Sequence, residues 1–380
     1  MVVSDLSTRP SPGPTRTFGV EEELLLVHAE TLEPAAVAED AVRLHGLRTP
    51  DGAARVHEIT RELQQEQIEV AGPPLTGLQE QVEAIRRGRF VADSAARRVG
   101  ARVVALASPV AVGAPHLVPT PRFRRIREHF GLIADEQLTC GYHVHVGVGS
   151  REEGVAVLDR IRVWLPVLLA LSANSPFWYG RETGFSSFRY QAWIRWPTAG
   201  PTDLFGSVEE HDRQRDDLLR CGVPMDLGMI YFDARLSARY PTVEIRIADV
   251  CQDPEQAGAL AALVRGLVET AARQWQAGLP APAIGAALLR TWSFQASRAG
   301  VEDELVRPTT GAPAPAADVV AELLDHVGPV LTEWGEFEAV ASTVAGILRD
   351  GSGARRQRAA FARSGDPRDV VRAALEATHR

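Results

Sequence analysis

The sequence predicts an α+β fold: a mostly antiparallel, curved sheet with helices packed on one face, followed by a helical C-terminal region. Three observations carry the prediction. Segments with strand-like alternation gather before Pro254. From Pro254 onward the apolar spacing is helical to the end, interrupted by "RPTTGAPAPAA" (Arg307–Ala317). The regular strand–helix alternation that a doubly wound parallel sheet requires is missing.

Taken in order, residues 1–16 are polar, rich in Pro and Ser, and lack an apolar signal core. They read as a disordered tail before a single domain over 17–380. "FGVEEELLLV" lies in a strand over Thr17–Val27, and an alternating strand runs Gln64–Val70. Apolar spacing predicts a long helix over Leu75–Arg98, and "ARVVALAS" (Ala101–Ser108) reads as a buried strand. "PRFRRIREHFGLI" is a short basic helix with Pro121 near its start. "CGYHVHVGVG" (Cys140–Gly149) alternates as a strand, and Glu152–Ala173 is an apolar helix that Pro166 should kink. A long irregular stretch, Asn174–Asp203, precedes two strands near Met229–Arg235 and Thr242–Val250.

Composition excludes several functions. A net charge of −8 argues against a nucleic-acid partner. The longest apolar run, Val163–Leu171, is too short to span a bilayer, so no membrane association is expected. Cys140, Cys221 and Cys251 are scattered without a C-x-x-C, which suggests a reducing, cytoplasmic location and no thiolate zinc site. The chain has no lysine, and all 41 basic residues are arginine. That removes the lysine of a P-loop, of a Schiff base and of pyridoxal-phosphate chemistry. Any phosphate must be held by arginine, backbone amides or metal.

Three consecutive glutamates in "FGVEEELLLV" would be costly to bury unless paired or bound to metal. Side chains two apart on a strand share a face. Glu21 and Glu23 therefore point one way, with Val20 and Leu24 opposite. Gln65, Gln67 and Glu69 share a face, as do His143 and His145, and as do Glu244 and Arg246. If these strands share a sheet, their apolar faces pack on helices and their polar faces line one concave site. Each motif alone has an ordinary reading: a solvated edge, a core histidine pair, a cross-strand salt bridge. Together they point to metal. Carboxylates outnumber imidazoles, so Mg²⁺ or Mn²⁺ suits the set better than zinc. Several such ions with arginines nearby suit polyphosphate chemistry. Glu22 faces the other way, either at a frayed edge or paired with an arginine from a helix. The Asn174–Thr202 stretch holds a third of the aromatic residues, and it reads either as a lid or as an Ω-loop stapled by its own rings.

In this order, "FGVEEELLLV", "ITRELQQEQIEVAG", "CGYHVHVGV", "LSANSPFWYGRETGFSSFRYQAWIRWPTAGP", "YFDARLSARYPTVEIRIADVC" and "FQASRAGVEDELV" resemble the bacterial carboxylate–amine ligases, the glutamate–cysteine ligase type 2 family. The resemblance implies a fold like the catalytic part of glutamine synthetase, with ATP and divalent metal on the concave face of the sheet. It implies metal ligation by Glu21, Glu23, Glu69, His143 and Glu244. It implies phosphate contact by Arg246, with Arg189 and Arg235 on the nucleotide and Arg189 and Arg298 on phosphate or substrate carboxylate. The implied reaction joins a carboxylate to an amine through an acyl phosphate, as in making γ-glutamylcysteine from glutamate and cysteine with weak activity. The expected partners are small amino-acid substrates, and a homo-oligomer such as a homodimer follows from family habit. Ala299, where a tyrosine is common, and Phe232, in place of a frequent tryptophan, depart from the pattern and bear on substrate identity. Two other readings remain: a metal-dependent hydrolase built on the H-x-H strand, and a non-catalytic nucleotide-binding relative.

Overall fold

A computed structural model describes residues 15–46, 57–111 and 113–380. Most of the expected tail lies outside these residues. Arg16, at its edge, does not behave as tail. Its guanidinium reaches Glu153 and Glu269, both at 2.5 Å, and donates to the Gly147 carbonyl at 2.8 Å.

The chain begins with β1 (Phe18–His28), α1 (Ala38–Gly46), β2 (Glu58–Arg61) and β3 (Gln67–Ala71). Then come α2 (Leu78–Arg97), β4 (Ala101–Val104), α3 (Pro121–Phe130), α4 (Leu132–Asp135) and β5 (Gly141–Gly147). The middle holds α5 (Arg151–Ile161), α6 (Leu165–Ser172), a small hairpin of β6 (Phe177–Trp178) and β7 (Arg181–Glu182), α7 (Phe188–Trp193) and α8 (Val208–Arg220). After β8 (Ala234–Leu236) and β9 (Thr242–Asp249) come α9 (Pro254–Gln276) and α10 (Ala286–Ala299). A second hairpin of β10 (Glu304–Val306) and β11 (Pro313–Pro315) leads into α11 (Ala316–Glu333), α12 (Phe337–Asp350), α13 (Gly353–Ser364) and α14 (Pro367–Thr378).

The main sheet runs β2-β3-β1-β5-β9-β8, with β4 also paired to β1, and every pairing is antiparallel. The α+β architecture is thus as expected. One face of the sheet is apolar. Val20, Tyr142, Val144, Val146, Val243, Ile245 and Ile247 pack with residues of α5, α6, α9, α11 and α12. A second cluster joins Leu24, Leu26, Ile68 and Val70 to Ala92 and Ala96 of α2 and to Val370, Val371 and Ala374 of α14.

Glu22 sits on this apolar face and is 2% exposed. It is neither frayed nor solvated, because Arg89 of α2 meets it with two hydrogen bonds, Nη2–Oε1 at 2.7 Å and Nε–Oε2 at 3.0 Å. The remaining Arg89 donors go to the carbonyls of Cys251 and Gln252 at 2.6 Å each and to that of Thr378 at 3.3 Å. A buried charge survives only when its hydrogen-bonding capacity is met in this way.

Several expectations shift. Pro166 does not kink one helix; it falls in the first turn of α6, where its missing N–H breaks no bond, and α5 ends before it. The basic helix divides at Gly131, which has φ +54 and lets the chain turn between α3 and α4. Gln65 is outside β3 and accepts from the Glu39 amide, away from the sheet face. The strand expected over Met229–Arg235 is confined to β8, after a turn of 3₁₀ helix at Leu227–Met229. Asn174–Asp203 is more ordered than expected. Tyr179 and Gly180, both at positive φ, close the β6–β7 hairpin, and α7 follows. Asp249 of β9 anchors the stretch by accepting from the Asn174 amide at 2.8 Å, Ser175 Oγ at 2.7 Å and Ser187 Oγ at 2.8 Å.

Candidate active site

The register decides which polar side chains meet. Glu21 lies opposite His143 of β5, and Glu23 lies opposite Glu69 of β3. His145 lies opposite Glu244 of β9, which in turn lies opposite Arg235 of β8. Five antiparallel strands with the same parity therefore bring acids, imidazoles and guanidinia onto one face. A register irregularity between Tyr142 and Val144 offsets β9 there and leaves Arg246 beside His143.

The contacts are close. His143 Nδ1 is 3.4 Å from Glu21 Oε2, and its Nε2 is 3.8 Å from Glu23 Oε1. His145 Nε2 is 3.4 Å from the other Glu21 oxygen, and its Nδ1 is 3.0 Å from Thr242 Oγ1. Glu23 also accepts from the Gly141 amide at 2.5 Å. Arg235 grips Glu244 with two bonds, at 2.8 and 3.1 Å, and Arg246 pairs with the same carboxylate.

Charge within the cluster is uneven. Burial works against ionised Glu21, but the adjacent imidazoles of His143 and His145 outweigh it and hold the carboxyl far below the usual range. Glu244 is likewise driven low against burial by Arg246 and Arg235. Burial and the Arg246 charge lower His143, keeping its imidazole neutral and able to ligate. At the β3 end the balance reverses. Burial and the neighbouring carboxylates push Glu69 well above its ordinary value. Burial and the charge of Glu23 push Glu62 up to about 7.

Glu62 follows β2 and was outside the expected ligand set, as was His145. Strand alternation does not reach Glu62, because it lies in the connection between β2 and β3. Its signal was its place in the "ITRELQQEQIEVAG" stretch.

The donor set fits divalent cations. Three overlapping groups, Glu21/His145/Glu244, Glu21/Glu69/His143 and Glu23/Glu62/Glu69, each have ligand atoms within 4.8 Å of one another. The Nε2 atoms of His143 and His145 are buried without a hydrogen-bond partner. Unsatisfied buried nitrogens beside clustered carboxylates are costly in isolation, and a bound cation would satisfy them. The oxygen-rich composition favours Mg²⁺ or Mn²⁺.

The arginines divide. Arg235 and Arg246 belong to the cluster, and Arg246 Nε is buried without a partner. Arg189 is adjacent and 1% exposed. It fills the space beside Gly141 and donates to the carbonyls of Ile247 at 3.2 Å and Arg246 at 3.3 Å. Arg298 stands apart: it is exposed, bonds the Gly184 carbonyl and lies over the Phe185 ring. The Arg189 and Arg246 guanidinia each lie near the Trp193 ring, at 5.8 and 5.7 Å, and Trp193 packs on Tyr231 at 4.8 Å. With Trp196, Ile126 and Met229 it forms a third apolar cluster. The aromatic stretch is mostly a packed wall of the site.

Comparisons with known proteins bear on the family and the fold. The family model described as glutamate–cysteine ligase family 2 matches residues 17–374. A protein of Paenarthrobacter aurescens, provisionally named glutamate–cysteine ligase 2-1, is 50% identical over 365 residues, 96% of this chain and 95% of its own. A like-named protein of Streptomyces avermitilis is 48% identical over 356 residues, 94% of this chain and 97% of its own. The crystal structure of the Francisella tularensis glutamate–cysteine ligase in complex with AMP superposes with a TM-score of 0.66. It covers 96% of this chain and 89% of its own, and at 13% identity it shows a shared fold. The chain belongs to glutamate–cysteine ligase family 2.

Proposed function

We propose that this protein is an ATP-dependent carboxylate–amine ligase that makes an amide bond through an acyl phosphate, with Mg²⁺ or Mn²⁺ held by the sheet-face cluster. Family membership makes it a C–N ligase. The observation that carries the rest is the convergence of Glu21, Glu23, Glu62, Glu69, His143, His145 and Glu244 with Arg235 and Arg246 on one face. No observation favours the hydrolase or the non-catalytic reading.

A free carboxylate is a poor electrophile with a poor leaving group. In the first step its oxygen attacks the γ-phosphorus of ATP, the bond to the bridging oxygen breaks, and ADP departs. In the second step the amine attacks the acyl carbon, the bond to phosphate breaks, and inorganic phosphate leaves as a site carboxylate takes the amine proton. The bound cations supply neutralisation of polyphosphate charge. Glu21, Glu23, Glu62, Glu69, His143, His145 and Glu244 would hold them. Arg246, with its unpartnered Nε, and Arg235 would contact phosphate oxygens, the role lysine cannot fill in this chain. Arg189 and Arg298 take supporting roles in this reading. Arg189 braces β9 behind Arg246, and Arg298 pins the Gly184–Phe185 turn.

We read 17–380 as one ligase domain, since both large apolar clusters combine sheet residues with C-terminal helices. The described residues contain no helix long and apolar enough to cross a membrane, and their three cysteines are unbridged. Family membership is what points to small amino-acid substrates; we propose a cytoplasmic location, and light scattering would test the expected homodimer. The substrate pair is tested by phosphate release with Mg²⁺-ATP, glutamate and a panel of amines that includes cysteine, with product masses read in parallel. Amine-dependent phosphate with an amide-mass product supports the reading. Phosphate release from ATP and water that ignores every carboxylate and amine contradicts it.

A further inference from the structure

The ligase reading leaves open how the purine of ATP is held. Cations and arginines recognise the polyphosphate, and an exposed aromatic face offers a base a surface on which to stack. Most rings near the β3 end of the cluster are packed away. Trp193 and Trp196 are 8% and 3% exposed and belong to the third apolar cluster, and the half-buried Tyr231 packs against Trp193.

The other end of the cluster differs. Tyr240, in the turn between β8 and β9, is 57% exposed. Its ring stands edge-on to His145, with centroids 6.1 Å apart and planes at 88°. Of the exposed aromatic rings among the described residues, Phe90 lies by Arg87, Phe294 by Phe185 and Trp275 at the end of α9, whereas Tyr240 packs on a histidine of the cluster. The turn is fixed in place. The Pro241 carbonyl accepts from the Val148 amide at 3.0 Å, and Thr242 is within 3.0 Å of His145 Nδ1. Beyond His145 the same face of β5 carries Gly147, which adds no side chain at this end.

We propose that Tyr240 is the base-stacking residue of the nucleotide site: the adenine of ATP lies on its exposed face while the phosphates reach the cluster past His145. The proposal rests on the ligase reading and adds a residue that holds the base.

The test is binding of Mg²⁺-ATP and of Mg²⁺ with inorganic tripolyphosphate to wild type, Tyr240→Ala and Tyr240→Phe. Tripolyphosphate carries the charge without the base. Tyr240→Ala is expected to raise the ATP Kd about tenfold or more and to leave the tripolyphosphate Kd unchanged. Tyr240→Phe, which keeps the ring, retains the wild-type ATP Kd. Equal weakening of both ligands in Tyr240→Ala would mean that the ring acts only by propping His145, and an unchanged ATP Kd would mean that the base lies elsewhere; either overturns the proposal alone. A wild type that binds tripolyphosphate as well as ATP overturns it too. A wild type that binds neither overturns the ligase reading along with it.

Discussion

Glu22 and Arg89 form a two-point ion pair on the apolar side of the sheet, directly behind the strand positions that present Glu21 and Glu23 to the site. The pair ties β1 to α2. Through the carbonyls of Cys251, Gln252 and Thr378 it also ties β1 to the segment before α9 and to the end of α14. Arg89→Leu leaves a carboxylate buried and unpaired and is expected to cost about 3–5 kcal/mol. The double change Glu22→Leu with Arg89→Leu should recover much of that loss. Urea unfolding of the three variants checks it, and a loss below about 1 kcal/mol for Arg89→Leu would show that the pair behaves as a surface bridge.

Glu21 belongs to two of the three ligand groups and Glu244 to one. Glu21→Ala and Glu244→Ala should each abolish ATP turnover while circular dichroism stays native. Wild-type turnover in either variant would remove the metal assignment.

The raised carboxyls make stability depend on pH and on cation together. Glu62 is pushed up to about 7 from an ordinary value of 4.5. Between those values the folded chain holds a proton that the unfolded chain has lost. This contribution to stability is full below 4.5 and disappears as pH rises through 7. Asp233, raised by burial to about 7, acts with the same sign. His57, His143, His211, His326 and His379, lowered by burial, act with the opposite sign below 6.5. The carboxyl contribution is therefore read as the difference between wild type and a Glu62→Gln, Asp233→Asn variant in EDTA, which should shrink from about pH 5 to about pH 8. Mg²⁺ binds the deprotonated carboxylates, so its stabilising effect should grow over the same range. Glu62→Gln should shrink the Mg²⁺-dependent part and leave that of Asp233. A Mg²⁺ shift in melting temperature that is the same at both ends of the range contradicts this account.

Trp193→Ala removes a ring packed against two guanidinia and Tyr231. As part of a packed wall it should cost about 3–5 kcal/mol of stability. A variant with wild-type stability and a raised substrate KM would restore the lid reading.

Much of the site was legible because strand parity is a strict rule. Once Glu21, Glu69, His143 and Glu244 fall on alternating strands, any antiparallel sheet with a buried face must gather them on the other. Parity failed where the residue lies off a strand. Glu62 sits in a connection, and its place follows from tertiary bonds such as Gln64 Nε2 to the Ala134 carbonyl at 2.8 Å. Parity is also silent on partners. It placed Glu22 on the apolar face, but Arg89 lies 67 residues away on a helix. Among elements, α8 was missed because it buries His211 and little else, which leaves no apolar stripe to read. The hairpin within Asn174–Asp203 was missed because its strands are two residues each, held by the Asp249 clasp and not by a pattern of their own. Arg189 and Arg298 were read from sequence order alone, and order does not say where a guanidinium ends.

The central claim is that this sheet face drives amide formation through an acyl phosphate. The most direct measurement follows oxygen-18 from the side-chain carboxylate of labelled glutamate during turnover with Mg²⁺-ATP and an accepted amine. The account predicts that the released inorganic phosphate carries one labelled oxygen per amide formed, because the carboxylate oxygen that attacks phosphorus departs with it. Amide formation with unlabelled phosphate would contradict it and require a different activated intermediate.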